Sequence, residues 1–135
     1  MANYKSAIAR VLLTEGGYAN DPDDSGGETY RGISRVNWPK WSGWATVDKM
    51  KAQPNFPRNL KGNVTLDIYV TLFYKTNFWD PIGGDQINDQ AIADLIVDSA
   101  VNEGIKPAIR RAQLIVGLPA TGVIDHLLIE KLNSL

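Results

Sequence analysis

The chain has 135 residues, a net charge of −1, 44% hydrophobic and 21% charged residues, no cysteine and one histidine. This length supports one hydrophobic core and is too short for two ordinary domains. The composition excludes disulfides, cysteine-based or multi-histidine metal sites and a broad basic face for nucleic acid. No segment resembles a secretion signal or has the roughly 20 apolar residues of a membrane span, so no stable membrane insertion is expected.

The first predicted helix carries an acidic residue at its end. Apolar residues from Tyr4 to Leu12 recur at spacings of three and four, and Glu15 continues this stripe. We expect Gly16-Gly17 to end the helix with a left-handed cap, which places Glu15 in the last turn. Burial and the negative end of a helix both raise the pKa of a carboxyl group, which is the property of a general acid. The alternative is a surface glutamate at a frayed helix end.

A long polar segment between Tyr18 and Ser34 follows this helix. Its Asp-Pro and Ser-Gly-Gly turn signals predict an irregular hairpin that returns past Glu15. A protonated glutamate that faces an ionised aspartate such as Asp24 and a hydroxyl such as Thr29 is typical of glycoside hydrolysis. A calcium loop is disfavoured, because the segment lacks the alternating oxygen ligands and the twelfth-position glutamate of an EF-hand.

Three tryptophans follow in the seven residues from Trp38 to Trp44. We expect most of them to lie in the core, and the alternative is a surface on which sugars stack. A short helical stretch is predicted near 46–53, and the proline- and glycine-containing stretch 53–62 is predicted to be irregular.

The remaining elements are predicted to be helices. One spans about 63–77, a second opens at Asn88 or Asp89 and ends at Gly104, a third lies between Pro107 and Gly117, and a last one follows the turn at 121–125. Asp98 and Asn102 lie one turn apart beside the apolar face of the second of these helices, where a structural role is favoured over substrate contact. The fold is therefore predicted to be mainly α, with a small irregular hairpin after the first helix.

Several motifs along the chain resemble those of one known family. They are Glu15-Gly16-Gly17-Tyr18, Asn20-Asp21-Pro22, the run from Asp24 to Thr29, Gly32-Ile33-Ser34, the run from Phe78 to Ile82 and the run from Asp98 to Gly104. Together they resemble the glycoside hydrolase family 108 muramidases, which are lysozyme-like proteins of phages, prophages and bacterial secretion-release systems.

The resemblance implies hydrolysis of peptidoglycan between N-acetylmuramic acid and N-acetylglucosamine, without a metal or a cofactor. Glu15 corresponds to the catalytic acid of the family. Asp24 corresponds to the aspartate before Pro-Gly-Gly, with Ser25 in place of the proline. A looser similarity to phage-type lysozymes implies that Asp24 holds a water and that Thr29 helps to position it. Tyr18, Tyr30, Asp98 and Asn102 are the expected substrate-binding residues.

The resemblance also implies one lysozyme-like domain over 1–135. About 1–85 would form the catalytic lobe, and about 86–135 a helical lobe similar to a peptidoglycan-binding half. The expected partner is the peptidoglycan glycan strand, reached from the cytoplasm without a signal peptide, through a holin or an export system. The alternatives are a non-catalytic peptidoglycan-binding or secretion-activating protein and a lytic transglycosylase.

Overall fold

The computed structural model describes residues 1–23 and 27–135. The fold is mainly α with a small three-stranded sheet after the first helix, which confirms the predicted fold class. The helices are α1 (Tyr4–Thr14), α2 (Gly43–Lys51), α3 (Val64–Tyr74), α4 (Gln90–Glu103), α5 (Ile105–Ile115) and α6 (His126–Asn133). Within the described ranges, no helix is long and apolar enough to cross a membrane.

The sheet is antiparallel and consists of β1 (Tyr18–Asn20), β2 (Glu28–Tyr30) and β3 (Ile33–Ser34), in that order. Tyr18 pairs with Tyr30, whereas Thr29 pairs with Ala19 on one side and with Ser34 on the other. Since side chains alternate along a strand and paired residues share a face, Tyr18 and Tyr30 lie on one face of the sheet and Thr29 on the other.

The chain divides into two compact units. One consists of Leu12–Phe73 and contains the sheet, and the other combines Met1–Val11 with Tyr74–Leu135.

Aromatic packing dominates the core of the unit Leu12–Phe73. Trp44 is buried, and its Nε1 donates to the carbonyl of Trp38 at 2.9 Å. The Trp41 ring packs edge-on against Trp44 at 5.2 Å, and the Trp38 ring packs edge-on against Phe73 at 4.8 Å. Trp41 is half-buried and Trp38 is exposed, so the prediction that most of the three tryptophans lie in the core is wrong, and only Trp44 is buried.

The other unit is centred on Trp79, which is fully buried. After α3, the chain continues through a π-helical turn that ends at Trp79 and a 3-10 turn at Asp80–Ile82. The Trp79 Nε1 donates to Asp85 Oδ1 at 2.8 Å. Gly84 packs against the same ring so closely that an added Cβ would lie 2.2 Å from it. The first residues of the chain belong to this unit, since the Ala2 amide donates to the Ile87 carbonyl at 2.8 Å.

Local capping signals define the helices of this unit. Asp89 begins α4 by accepting from the Ile92 amide at 3.0 Å, and Gly104 ends α4 with φ +103°, as the sequence predicts. The helix predicted to start at Pro107 begins two residues earlier, so Pro107 lies in the first turn of α5, where its missing N–H is tolerated. Asp125 caps α6 by accepting from the Leu128 amide at 2.8 Å.

A buried amide holds the turn that precedes α6. Gln113 is 1% exposed, its Nε2 donates to Thr121 Oγ1 at 2.9 Å, and its Oε1 accepts from the Gly122 amide at 2.9 Å. The side chain therefore satisfies both of its polar atoms inside the protein.

Candidate active site

Glu15 follows the last residue of α1 directly and is half-buried. The expected left-handed cap is wrong, because neither Gly16 nor Gly17 has a positive φ. The Gly17 carbonyl instead accepts from the Arg31 amide at 3.3 Å, so the backbone runs directly from the helix into the sheet. Glu15 consequently lies one residue beyond the helix rather than in its last turn.

Glu15 lines a cleft of about 370 Å³ within the unit Leu12–Phe73. The lining residues come from the segment between α1 and β1, from the sheet with its β2–β3 turn, and from the segment that precedes α3. They are Glu15, Gly16, Gly17, Tyr18, Tyr30, Arg31, Pro57, Arg58, Leu60 and Lys61. A Cβ added at Gly16 or Gly17 would meet no atom within 4 Å, so there is open space at the two glycines that follow Glu15.

The two tyrosines on the cleft face of the sheet have different environments. Tyr30 is 4% exposed and its ring is part of the core. Tyr18 is half-buried, its ring packs edge-on at 4.8 Å from the Phe56 ring, and its hydroxyl donates to Glu28 Oε2 at 2.6 Å. Burial, followed by the hydrogen bond to Glu28, raises the pKa of Tyr18 above its ordinary value, so the phenol stays neutral.

A network of charged residues is linked to the Tyr18 hydroxyl through Glu28. Glu28 accepts from Tyr18, from Arg35 Nη1 at 2.9 Å and from Lys51 Nζ. Arg35 also donates through Nη1 and Nη2 to the two oxygens of Asp48, both at 2.7 Å. The network ties β2 to α2. It was missed by sequence reasoning, because nothing local in the sequence pairs Glu28 with a lysine on a later helix.

The network shifts the titration of its carboxyl groups. Burial raises the pKa of Glu28, but the hydrogen bonds from Lys51, Tyr18 and Arg35 together outweigh it, and the net pKa is lowered. The paired hydrogen bonds from Arg35 lower the pKa of Asp48 to about 2. Both groups are therefore carboxylates at neutral pH, and they keep Arg35 and Lys51 charged.

The other described residues of the predicted site, Thr29, Asp98 and Asn102, are not among the residues that line this cleft. Thr29 is half-buried on the sheet face opposite Tyr18 and Tyr30. Asp24 lies outside the described residues. Asp98 is half-buried and Asn102 is exposed on α4, which belongs to the other unit. Their roles, like those of the two tyrosines, stay predictions.

Comparison with known proteins identifies the family. A sequence profile described as glycosyl hydrolase 108 matches residues 8–104. The chain belongs to this family. The glycosyl hydrolase 108 match includes every residue that lines the cleft, and it supports glycoside hydrolase chemistry in general.

A search of solved structures found a protein of similar fold. A structure of Brucella abortus SagA is similar to this chain with a TM-score of 0.64 and 23% sequence identity, over 98% of this chain and 69% of that chain. This similarity confirms the lysozyme-like fold class. A search of curated proteins found no match.

Proposed function

We propose that the protein hydrolyses the glycan strand of bacterial peptidoglycan between N-acetylmuramic acid and N-acetylglucosamine, with Glu15 as the general acid. The observation that carries this proposal is the position of Glu15, which is half-buried, lines the cleft and precedes two glycines with open space around them. A general acid must reach the leaving oxygen while it is partly shielded from water, and a half-buried position in an open cleft is compatible with this role. Membership of a glycoside hydrolase family supports this chemistry and fits a peptidoglycan substrate.

The remaining roles follow from this assignment. In a glycoside hydrolase a second carboxyl group activates water or attacks the sugar, and we assign this role to Asp24, with Thr29 as its positioning partner. The Tyr18 hydroxyl donates a hydrogen bond to Glu28. We therefore propose that Tyr18 contacts the substrate through its ring, an apolar surface on which a sugar can stack. Tyr30 would support that surface from the core.

Asp98 and Asn102 are proposed to contact the glycan from the helical lobe at about 86–135, with the catalytic lobe at about 1–85. We further propose that the protein is made in the cytoplasm and reaches the wall through a holin or an export system.

The test compares the wild-type protein with Glu15→Gln on purified peptidoglycan, with released ends identified by mass spectrometry. Glutamine keeps the shape of the side chain and removes the acid. General acid catalysis contributes roughly 10²- to 10⁴-fold, so we expect wild type to release reducing muramic acid ends and the variant to be slower by about that factor. Glu130→Gln, an exposed carboxyl on α6, is the matched control and should retain full activity.

Other outcomes separate the alternatives. Release of 1,6-anhydromuramic acid ends would indicate a lytic transglycosylase. Wall binding without release of any ends by the wild-type protein would leave a non-catalytic peptidoglycan-binding or secretion-activating protein. Full activity of Glu15→Gln would exclude Glu15 as the acid.

A further inference from the structure

The cleft that contains Glu15 is lined by three cationic side chains, Arg31, Arg58 and Lys61. Glu15 is the one carboxyl group among the cleft residues that the structure describes. The protein as a whole has a net charge of −1, so this local excess of positive charge is a property of the cleft and not of the composition. A concave surface lined by one sign of charge concentrates ligands of the opposite sign.

Two of these cations are fixed by the short turn that carries them. Arg58 begins the 3-10 turn Arg58–Leu60, and the Lys61 amide donates to its carbonyl at 3.2 Å. Leu60 is 1% exposed and anchors the turn in the core, while Asn59 Nδ2 donates to the Met50 carbonyl at 3.0 Å and anchors it to α2. Both charged side chains remain exposed on an anchored backbone.

Arg58 and Lys61 also differ from Arg35 and Lys51, two cations of the same unit, in their salt bridges. Arg35 and Lys51 are both engaged by carboxylates of the Glu28 network. Over residues 1–23 and 27–135, no carboxylate forms a salt bridge with Arg58 or Lys61. Their charges are therefore available to a ligand.

The third cation, Arg31, lies at a turn position whose backbone conformation is unfavourable for arginine. Arg31 and Gly32 form the two-residue turn between β2 and β3, and both have positive φ, +50° and +80°. Such turns favour asparagine, aspartate or glycine at the first position. An arginine there accepts a left-handed backbone, and its side chain lines the cleft.

We propose that Arg58 and Lys61, together with Arg31, form an anion subsite that binds the carboxylates of the peptide side chains of peptidoglycan. The identity of the ligand rests on the proposed function. The glycan strand of peptidoglycan is uncharged where its muramic acid carboxyls carry peptides, so the peptides supply the carboxylates. The arginine fork matches a carboxylate in shape, and lysine adds a point charge. The subsite therefore selects peptide-bearing wall over bare glycan.

The test measures binding in the Glu15→Gln background, so that the wall is not degraded. Co-sedimentation is compared on peptidoglycan freed of teichoic acid and on the same material after its carboxyl groups are converted to neutral amides. The test variant carries Arg58→Gln and Lys61→Gln, and the matched control carries Lys5→Gln and Lys131→Gln, two exposed lysines of the other unit.

We expect the test variant to bind untreated peptidoglycan roughly fivefold more weakly than its parent, the size expected for two exposed charge contacts. On amidated peptidoglycan the two should bind equally, and the control should match its parent on both. High salt should reduce the parent's preference for the untreated material. Equal binding of the variant and its parent to untreated peptidoglycan, or an equal loss on both materials, would overturn the proposal.

A third material, peptidoglycan that retains teichoic acid, distinguishes phosphate from carboxylate as the bound anion. A defect of the test variant that arises on this material alone would assign the subsite to phosphate and would also overturn the proposal. Cleavage is measured in parallel with Glu15 intact. A wild-type protein that shows this binding pattern and releases no ends would refute the hydrolase and retain the subsite.

Discussion

Glu28→Gln tests whether the charged network stabilises the hairpin through charge. The carboxylate is 11% exposed and accepts from Tyr18, Arg35 and Lys51. Hydrogen bonds to charged groups contribute about 1.5–3 kcal/mol each, but glutamine keeps one acceptor oxygen, and the two cations, which are 33% and 37% exposed, regain water. We therefore expect a net loss of about 2 kcal/mol in the free energy of unfolding at pH 7.

This loss converts into a measurable shift in Tm. An unfolding entropy of about 2.1 cal/mol/K per residue corresponds, for a chain of this length, to about 3.5 °C for each kcal/mol. Thermal unfolding followed by circular dichroism should therefore show Tm lowered by about 7 °C. Glu130→Gln, whose carboxylate is exposed and lies 3.9 Å from His126, should change Tm by about 2 °C or less.

The pH dependence identifies charge as the cause. The folded-state pKa of Glu28 lies below its ordinary value of 4.5, so its contribution is complete above that pH and is lost as the pH falls through the lowered pKa. The difference in Tm between wild type and Glu28→Gln should therefore narrow between pH 5 and the acid limit of folding, a range set by the lowered pKa. A Tm difference between wild type and Glu28→Gln that stays constant with pH would refute the reasoning. A difference at pH 7 no larger than that of Glu130→Gln would also refute it.

Two further substitutions test the core of the unit that contains Trp79. Gly84→Ala places a methyl group 2.2 Å from the Trp79 ring, and this overpacking should lower the free energy of unfolding by about 3 kcal/mol. The loss should be measured as a lower Tm and an altered tryptophan fluorescence. An unchanged Tm would show that the ring can move. Gln113→Leu leaves the Gly122 amide and the Thr121 hydroxyl without their buried partner, and urea unfolding should report a loss of about 1–3 kcal/mol. An unchanged free energy of unfolding would mean that water replaces the hydrogen bonds of the Gln113 amide.

Elements that depend on local signals could be predicted from the sequence. The cap at Asp89 and the stop at Gly104 depend on a few neighbouring residues, and both are confirmed. The left-handed cap at Gly16-Gly17 was wrong for an instructive reason. Glycine permits a left-handed backbone without requiring it, and the hydrogen bond from Arg31 to Gly17, distant in sequence, favours an extended path.

For the candidate site, too, local patterns in the sequence predict some residues, and tertiary packing determines the rest. Glu15 could be singled out because its helical stripe and the following hairpin are local patterns. The pairing of Glu28 with Lys51, and the lack of a salt bridge to Arg58 among the described residues, are products of tertiary packing, which no periodicity encodes. Strand alternation, once the register is known, also separates Thr29 from Tyr18 and Tyr30, whereas sequence spacing alone left them together.

The interleaved division of the chain has a consequence for biosynthesis. Leu12–Phe73 is one uninterrupted stretch, and all of it has left the ribosome before the other unit can be completed. Met1–Val11 leaves the ribosome before Leu12–Phe73, yet it packs with partners such as Ile87 that are translated later. Since domains generally fold as they are synthesised, we expect the unit with Glu15 to form while Met1–Val11 still lacks the later-translated partners of its own unit. Met1–Val11 is thus translated before Leu12–Phe73 but packs after it, and this segment is exposed to misassembly until the later residues of its own unit have been made.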